Sequence, residues 1–195
     1  MTAAKMKLTG VTGLIVDNDR FGVTVLTQML RGMGLDAVTV VETGAAAQAL
    51  FENHVYDLCL CEAELPDMTG ADLVRWIRRQ RTQSRYTPLL VLTGYSNLST
   101  VTALRDSGAH LVMRKPVSPQ ILFDHIAWAA KPPRPFIETD EYVGPDRRFK
   151  SLGPPGGGEG RRETDLSADV GEATEPNMSQ AEIDAMIRPT RIMAA

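Results

Sequence analysis

Five short apolar runs fill residues 13–130, and a stretch with helical spacing follows each of them. The runs lie at residues 13–18, 37–41, 56–61, 88–93 and 110–114. Within each, apolar residues are nearly continuous rather than alternating, as in strands buried on both faces. Between them the period changes. Val25, Leu26, Met29, Leu30 and Met33 recur at helical spacing before Gly34, which supplies a stop. Thr43 supplies a cap for a helix that carries Leu50 and Phe51 inward. Leu73, Val74 and Ile77 mark the third helix, and Val101 and Leu104 a fourth that stops at Gly108. Ser118 and Pro119 form an N-cap and first-turn pair for the last, which turns Ile121, Leu122 and Ile126 to the core. Five such units joined by short links predict a doubly wound α/β domain, a five-stranded parallel sheet with helices on both faces.

In a sheet of this kind function collects at the carboxyl ends of the strands. The first run ends in Asp17-Asn18-Asp19, the third in Glu62, the fourth in Thr93, and Lys115 follows the fifth. Acids, a hydroxyl and an ammonium delivered to one edge suit phosphoryl chemistry. Clustered carboxylates hold Mg²⁺, while a hydroxyl and an ammonium bind phosphoryl oxygens.

The order and spacing of these residues are more specific than their types. The turn Val16-Asp17-Asn18, the loop Glu62-Ala63-Glu64-Leu65-Pro66-Asp67-Met68-Thr69-Gly70, then Leu92-Thr93-Gly94 and Arg114-Lys115-Pro116 follow one another across all five units. In this the segment resembles a receiver domain of the two-component response regulators, with their flavodoxin-like (βα)5 fold. The resemblance implies a phosphoacceptor position at Glu62 and a Mg²⁺ site from Asp17, Asn18, Glu62 and the backbone carbonyl of Glu64. It makes Thr93, Lys115 and Val112 the positions that read the phosphorylated state, and implies a cis Lys115-Pro116 bond. A histidine kinase or components of a chemotaxis or motility system are the partners it implies, in a bacterial two-component phosphorelay. The chain departs from the family pattern where Glu62 replaces the acceptor aspartate, Asn18 the second acid of the turn and Val112 the switch aromatic. A glutamate carboxylate reaches about 1 Å further than an aspartate, and misplacement of that order costs roughly 10²-fold in rate. An atypical receiver with impaired or bypassed phosphorylation and weakened Mg²⁺ binding is expected. Two states of such a domain are open: a bias toward the active-like state, or a static scaffold in which Glu62 pairs with Lys115.

A rival reading uses Asp17-x-Asp19 after an apolar strand as the nucleophile and acid–base pair of a haloacid-dehalogenase-type phosphatase. Phe21 stands where that family keeps Thr or Val, and no paired acids follow Lys115. His54, His110 and His125 share no ligand spacing and are expected as solvated or helix-end residues. Trp76 and Trp128 fit packing or an interface. Cys59 and Cys61 fall on one face of a strand as reduced core residues, since they lie too close for an unstrained disulfide.

Composition divides the chain. All five Phe, both Trp and all four Tyr precede residue 151, so the remainder lacks the means to build its own core. A net charge of −3 gives no reason to expect nucleic-acid or membrane affinity. Without a signal-like or membrane-spanning run, a soluble cytoplasmic protein is expected. The expected division is an N-terminal arm to residue 10, the receiver over 11–131, an extension over 132–150, a flexible linker over 151–176 and a short helix over 177–190. In the extension, Tyr142 and Phe149 are mixed with basic residues, which suits either a docking element or a strand-like flap. Within the last segment Ser179 is the N-cap, Glu182 its capping-box partner, and Met178 and Ile183 the staple. Ile183, Met186 and Ile187 form one apolar stripe, so this short helix should form on a partner's groove. The segment resembles the amino-terminal peptide of the flagellar motor switch protein, which docks on chemotaxis receivers. That resemblance implies docking on its own receiver, on another copy or on a chemotaxis receiver. No DNA-binding or enzymatic output region is recognised, so action through protein contacts is expected, either as a non-enzymatic response regulator or as a phosphorylation-independent adaptor.

Overall fold

A computed structural model of the protein describes residues 8–130, 135–139, 142–146 and 177–187. Its strands are β1 (Thr12–Val16), β2 (Ala37–Val41), β3 (Leu58–Glu62), β4 (Leu89–Thr93) and β5 (Leu111–Arg114). They pair in parallel in the order β2-β1-β3-β4-β5. Helices α1 (Arg20–Gly32), α2 (Gly44–Asn53), α3 (Gly70–Arg79), α4 (Leu98–Asp106) and α5 (Pro119–Ala129) connect them, with a 3-10 turn at Gln83–Tyr86 before β4. The strand order reverses between β1 and β3, which opens the crevice between the ends of those two strands. Asp17 and Glu62 stand there. The expected doubly wound sheet is therefore present.

Local chemistry accounts for the element boundaries. Asp19, Thr43, Thr69, Asn97 and Ser118 each accept a backbone N–H from the first turn of the helix they precede. Gly34 and Gly108 take positive φ where α1 and α4 end. Third-run residues Tyr56 and Asp57 fall outside β3, because Asp57 is used differently. Its carboxylate accepts from both the N–H and the hydroxyl of Thr12, at 2.8 Å each, and ties the entry of β3 to that of β1. The core lies on both faces of β1, β3 and β4, where Leu14, Leu60 and Leu90 are almost fully buried against Leu30, Phe51, Ile77 and Leu122. Cys59 and Cys61 are buried and free, as expected, and burial pushes the Cys59 thiol up to about 12.

Two further pieces lie on the sheet's flanks. The strands β6 (Phe136–Glu138) and β7 (Val143–Pro145) form an antiparallel pair beside α3. This is the strand-like flap; residues 147–150 of the same extension lie outside the described residues. The flap covers Arg78, a fully buried guanidinium. Arg78 donates to the carbonyls of Gly108, Arg85 and Thr87 at 2.9, 2.6 and 2.9 Å. It also meets His110 Nδ1 at 2.9 Å and lies 5.3 Å from the Phe136 ring centroid. Burial pulls its pKa down to about 9, and it remains charged at neutral pH. The second piece is α6 (Gln180–Ile187), seated on β5. The expected linker and the N-terminal arm up to residue 7 lie outside the described residues. Among the described residues, no helix is long and apolar enough to cross a membrane.

Candidate functional site

The ends of β1, β3, β4 and β5 each contribute one member of the pocket. Beyond β1 the chain turns on Asp17, whose Oδ1 accepts the Asp19 N–H at 2.8 Å. Asp17 is nearly buried, and its Oδ2 accepts from Lys115 Nζ at 2.8 Å. The same ammonium pairs with Glu62 Oε2, and Glu62 Oε1 accepts the Ala63 N–H at 2.9 Å. Lys115 thus bridges carboxylates from β1 and β3. Burial raises the Glu62 pKa, and although Lys115 opposes this, Asp17 adds to it and the net shift is upward. For Lys115 burial works against the charge, but hydrogen bonds and attraction from Asp17 and Glu62 prevail and raise its pKa.

The remaining candidates are placed around this bridge. Thr93 is buried, and its hydroxyl donates to the Tyr95 carbonyl at 2.7 Å while accepting the Tyr95 N–H at 3.0 Å. It is therefore closed on its own loop. Val112 is fully buried on β5, opposite Val91. Asn18 and Glu64 are exposed, with Glu64 paired to Thr69 in an antiparallel bridge. Asp67 lies on the other side of the loop, where its carboxylate accepts the N–H groups of Gly44 and Ala45 at 2.8 Å each. Those bonds at the start of α2 lower its pKa. Gly70 lets α3 approach the loop, since a Cβ there would meet the Glu62 carbonyl oxygen at 2.5 Å. The Lys115-Pro116 bond is cis, as expected. Beside the pocket a cleft of about 360 Å³ runs between α1 and the β5–α5 turn, walled by Phe21, Val25, Met29, Lys115, Pro116 and Val117.

All four oxygens of Asp17 and Glu62 already have protein partners, and the Lys115 ammonium stands between the two groups. Among the described residues no group of three or more His, Cys, Asp or Glu is placed to hold a metal ion.

A family profile described as the response regulator receiver domain matches residues 14–127, more than half of the sequence. The chain belongs to that family. Over 113 residues this receiver is 33% identical to the aerobic respiration control sensor protein ArcB of Escherichia coli, a match covering 58% of this chain and 14% of ArcB. It is 32% identical over 142 residues to the response regulator protein PilR of Pseudomonas aeruginosa, covering 73% of this chain and 30% of PilR. The chain therefore spans less than a third of the length of either relative. Among solved structures, the receiver domain of sensor histidine kinase PA1611 from Pseudomonas aeruginosa is 27% identical, with a TM-score of 0.57. That match covers 63% of this chain and all of the other, which holds a magnesium ion in its active-site cleft. A CheY-like receiver domain protein of Methanospirillum hungatei is 29% identical with a TM-score of 0.56, over 60% of this chain and 91% of that one. A receiver domain is a signalling module of two-component systems, and the phosphatase reading of Asp17 finds no support.

The receiver's second occupied surface is the edge strand β5, with Ser96 before α4 and His125 within α5. Ser179 and Glu182 form the capping box: the Ser179 N–H donates to Glu182 Oε2 at 2.7 Å, and the Glu182 N–H to Ser179 Oγ at 3.4 Å. Ile183 and Ile187 are buried, and Met178 and Met186 pack partly against the core. The groove on which this helix forms is thus the chain's own receiver. His125, expected solvated or at a helix end, is instead buried. Its Nδ1 lies 2.7 Å from the Ile121 carbonyl and its Nε2 3.0 Å from Asp184 Oδ1 of α6. His110 is likewise engaged, with Arg78 and the Leu89 N–H on its Nδ1, so only His54, exposed at the end of α2, matches the expectation. Trp76 and Trp128 pack partly buried against the core.

Sequence reasoning did not single out Ser96, Gln180, Asp184 or His125 at this contact. A signal existed for one pair: Gln180 and Asp184 stand four apart beside the apolar stripe, where helical residues are neighbours. Ser96 carried no signal, because its partners Asn177 and Met178 lie 81 and 82 residues along the chain and two of its three bonds to them run through its backbone.

Proposed function

We propose that this chain is a cytoplasmic, non-enzymatic receiver protein of phosphorelay signalling whose pocket is set by its own side chains instead of by phosphoryl transfer. The observation that carries this is the Lys115 ammonium closed on both Asp17 and Glu62. In this reading Glu62 occupies the acceptor position, while Thr93 and Lys115 occupy the reading positions. Of the two states left open, the static pairing of Glu62 with Lys115 is better supported, because the Thr93 hydroxyl is turned to Tyr95. Mg²⁺ would draw on Asp17, Glu62 and the Glu64 carbonyl, with Asn18 contributing no charge. It would have to displace Lys115, so binding is weak. The test is incubation with acetyl phosphate and Mg²⁺ followed by intact-mass measurement. The account expects no adduct of about 80 Da on the wild type, and some on Glu62→Asp if the remaining pocket is competent. A stable wild-type adduct that disappears in Glu62→Ala would overturn it.

A second reading rests on a separate observation, the docking of α6 on β5. In it the chain is an adaptor that signals through residues Ser179, Glu182, Ile183, Met186 and Ile187, without phosphate. Its partners are a histidine kinase or chemotaxis and motility components, reached through a division of the chain into receiver, flap, linker and helix.

A further inference from the structure

Sheet edges leave backbone donors and acceptors without a ladder partner, and β5 is such an edge. Gln180 answers it with a side chain. Its Oε1 accepts the Arg114 N–H at 2.6 Å, and its Nε2 donates to the Val112 carbonyl at 3.1 Å. One primary amide therefore pairs with two ladder groups of β5, as a neighbouring strand would. The same Nε2 donates to Asp184 Oδ1 at 2.8 Å, and that oxygen faces His125. At the amino end, Ser96 is engaged three times. Its N–H donates to Asn177 Oδ1 at 3.0 Å, its hydroxyl donates to the Met178 carbonyl at 2.8 Å, and its carbonyl accepts the Met178 N–H at 2.7 Å. Between these ends Ile183 and Ile187 fill the apolar floor.

A surface this closely matched to one short helix is a binding site with its ligand attached. We propose that the face formed by Ser96, β5 and His125 is a self-occluded helix-docking site. Residues 177–187 are its closed-state occupant. The partner it admits is an amphipathic helix of another polypeptide carrying glutamine and aspartate four apart beside two aliphatic residues four apart. Gln180 and Asp184 specify the ligand, one by reading the strand edge and the other by reading His125. The aliphatic pair supplies burial that many helices could supply. An attached occupant acts at high effective concentration, so a free helix enters only when the tail is disengaged. This inference rests on the second reading above, in which α6 is the output element, and is independent of whether Glu62 accepts phosphate.

The experiment titrates a fluorescent peptide of residues 176–188 into the full chain without any phosphodonor. One protein is the wild type. The other carries Ile183→Asp and Ile187→Asp, which prevent its own tail from seating while leaving the receiver intact, as checked by circular dichroism. The peptide should bind the double variant at least about tenfold more tightly than the wild type. Peptides with Gln180→Ala or Asp184→Ala should each lose about tenfold, and His125→Ala in the double variant should weaken the parent peptide but not the Asp184→Ala peptide. Equal binding to both proteins, no binding to a folded double variant, or indifference to Gln180 and Asp184 would each overturn the proposal.

Discussion

At Glu62 the electrostatics of the pocket are governed by burial. The carboxylate is shielded from water, so its charged form is disfavoured even beside Lys115. A raised carboxyl pKa means that the folded chain holds this proton more tightly than the unfolded chain. The Glu62 contribution to stability is therefore fully present below pH 4.5, the ordinary value, and is lost as pH rises through the folded value. Denaturant melts across that window should show a pH slope in the wild type that is smaller in Glu62→Gln. Lys115 behaves as a raised base: its contribution holds below pH 10.5 and is lost above it. Arg78 makes a second residue-scale prediction. Arg78→Ala removes the donor to the carbonyls of Gly108, Arg85 and Thr87, and should cost about 3–5 kcal/mol in a urea melt. The pocket residues were legible in the sequence because their spacing is tied to strand ends, which hydrophobic runs reveal. Arg78 and His125 were not, because what permits a buried cation or imidazole lies far along the chain, at Gly108, Thr87 and Asp184.

Helices and loops show the same division. Thr43 and Ser118 sit where their caps were expected, since capping depends on neighbours within one turn. The flap could not be told from a docking element, because its pairing depends on Arg78, Tyr86 and Arg85 across the surface; Arg85 meets Glu138 at 2.9 Å. Gly70 sets how closely α3 approaches the pocket loop. Gly70→Ala would press a Cβ on the Glu62 carbonyl, with an expected loss of about 1–3 kcal/mol by thermal or urea unfolding. The capping box acts locally on α6. Ser179→Ala should weaken that helix by about 1 kcal/mol and raise amide exchange over Gln180–Ile187 several-fold, leaving the receiver's melting curve nearly unchanged.

For the whole molecule, the pocket and the tail meet in the same two segments. Lys115 follows Arg114, whose N–H holds Gln180, and Thr93 closes on Tyr95 beside Ser96, which holds Asn177 and Met178. The receiver is thus held at both places by its own residues: Lys115 at the strand ends and α6 at the edge of β5. Hydrogen–deuterium exchange of the full chain, with and without acetyl phosphate and Mg²⁺, tests that claim most directly. The account predicts that amides of Gln180–Ile187 are protected in both conditions to the same degree. Exchange at the rate of an unstructured peptide, or protection that changes when the phosphodonor is added, would contradict it.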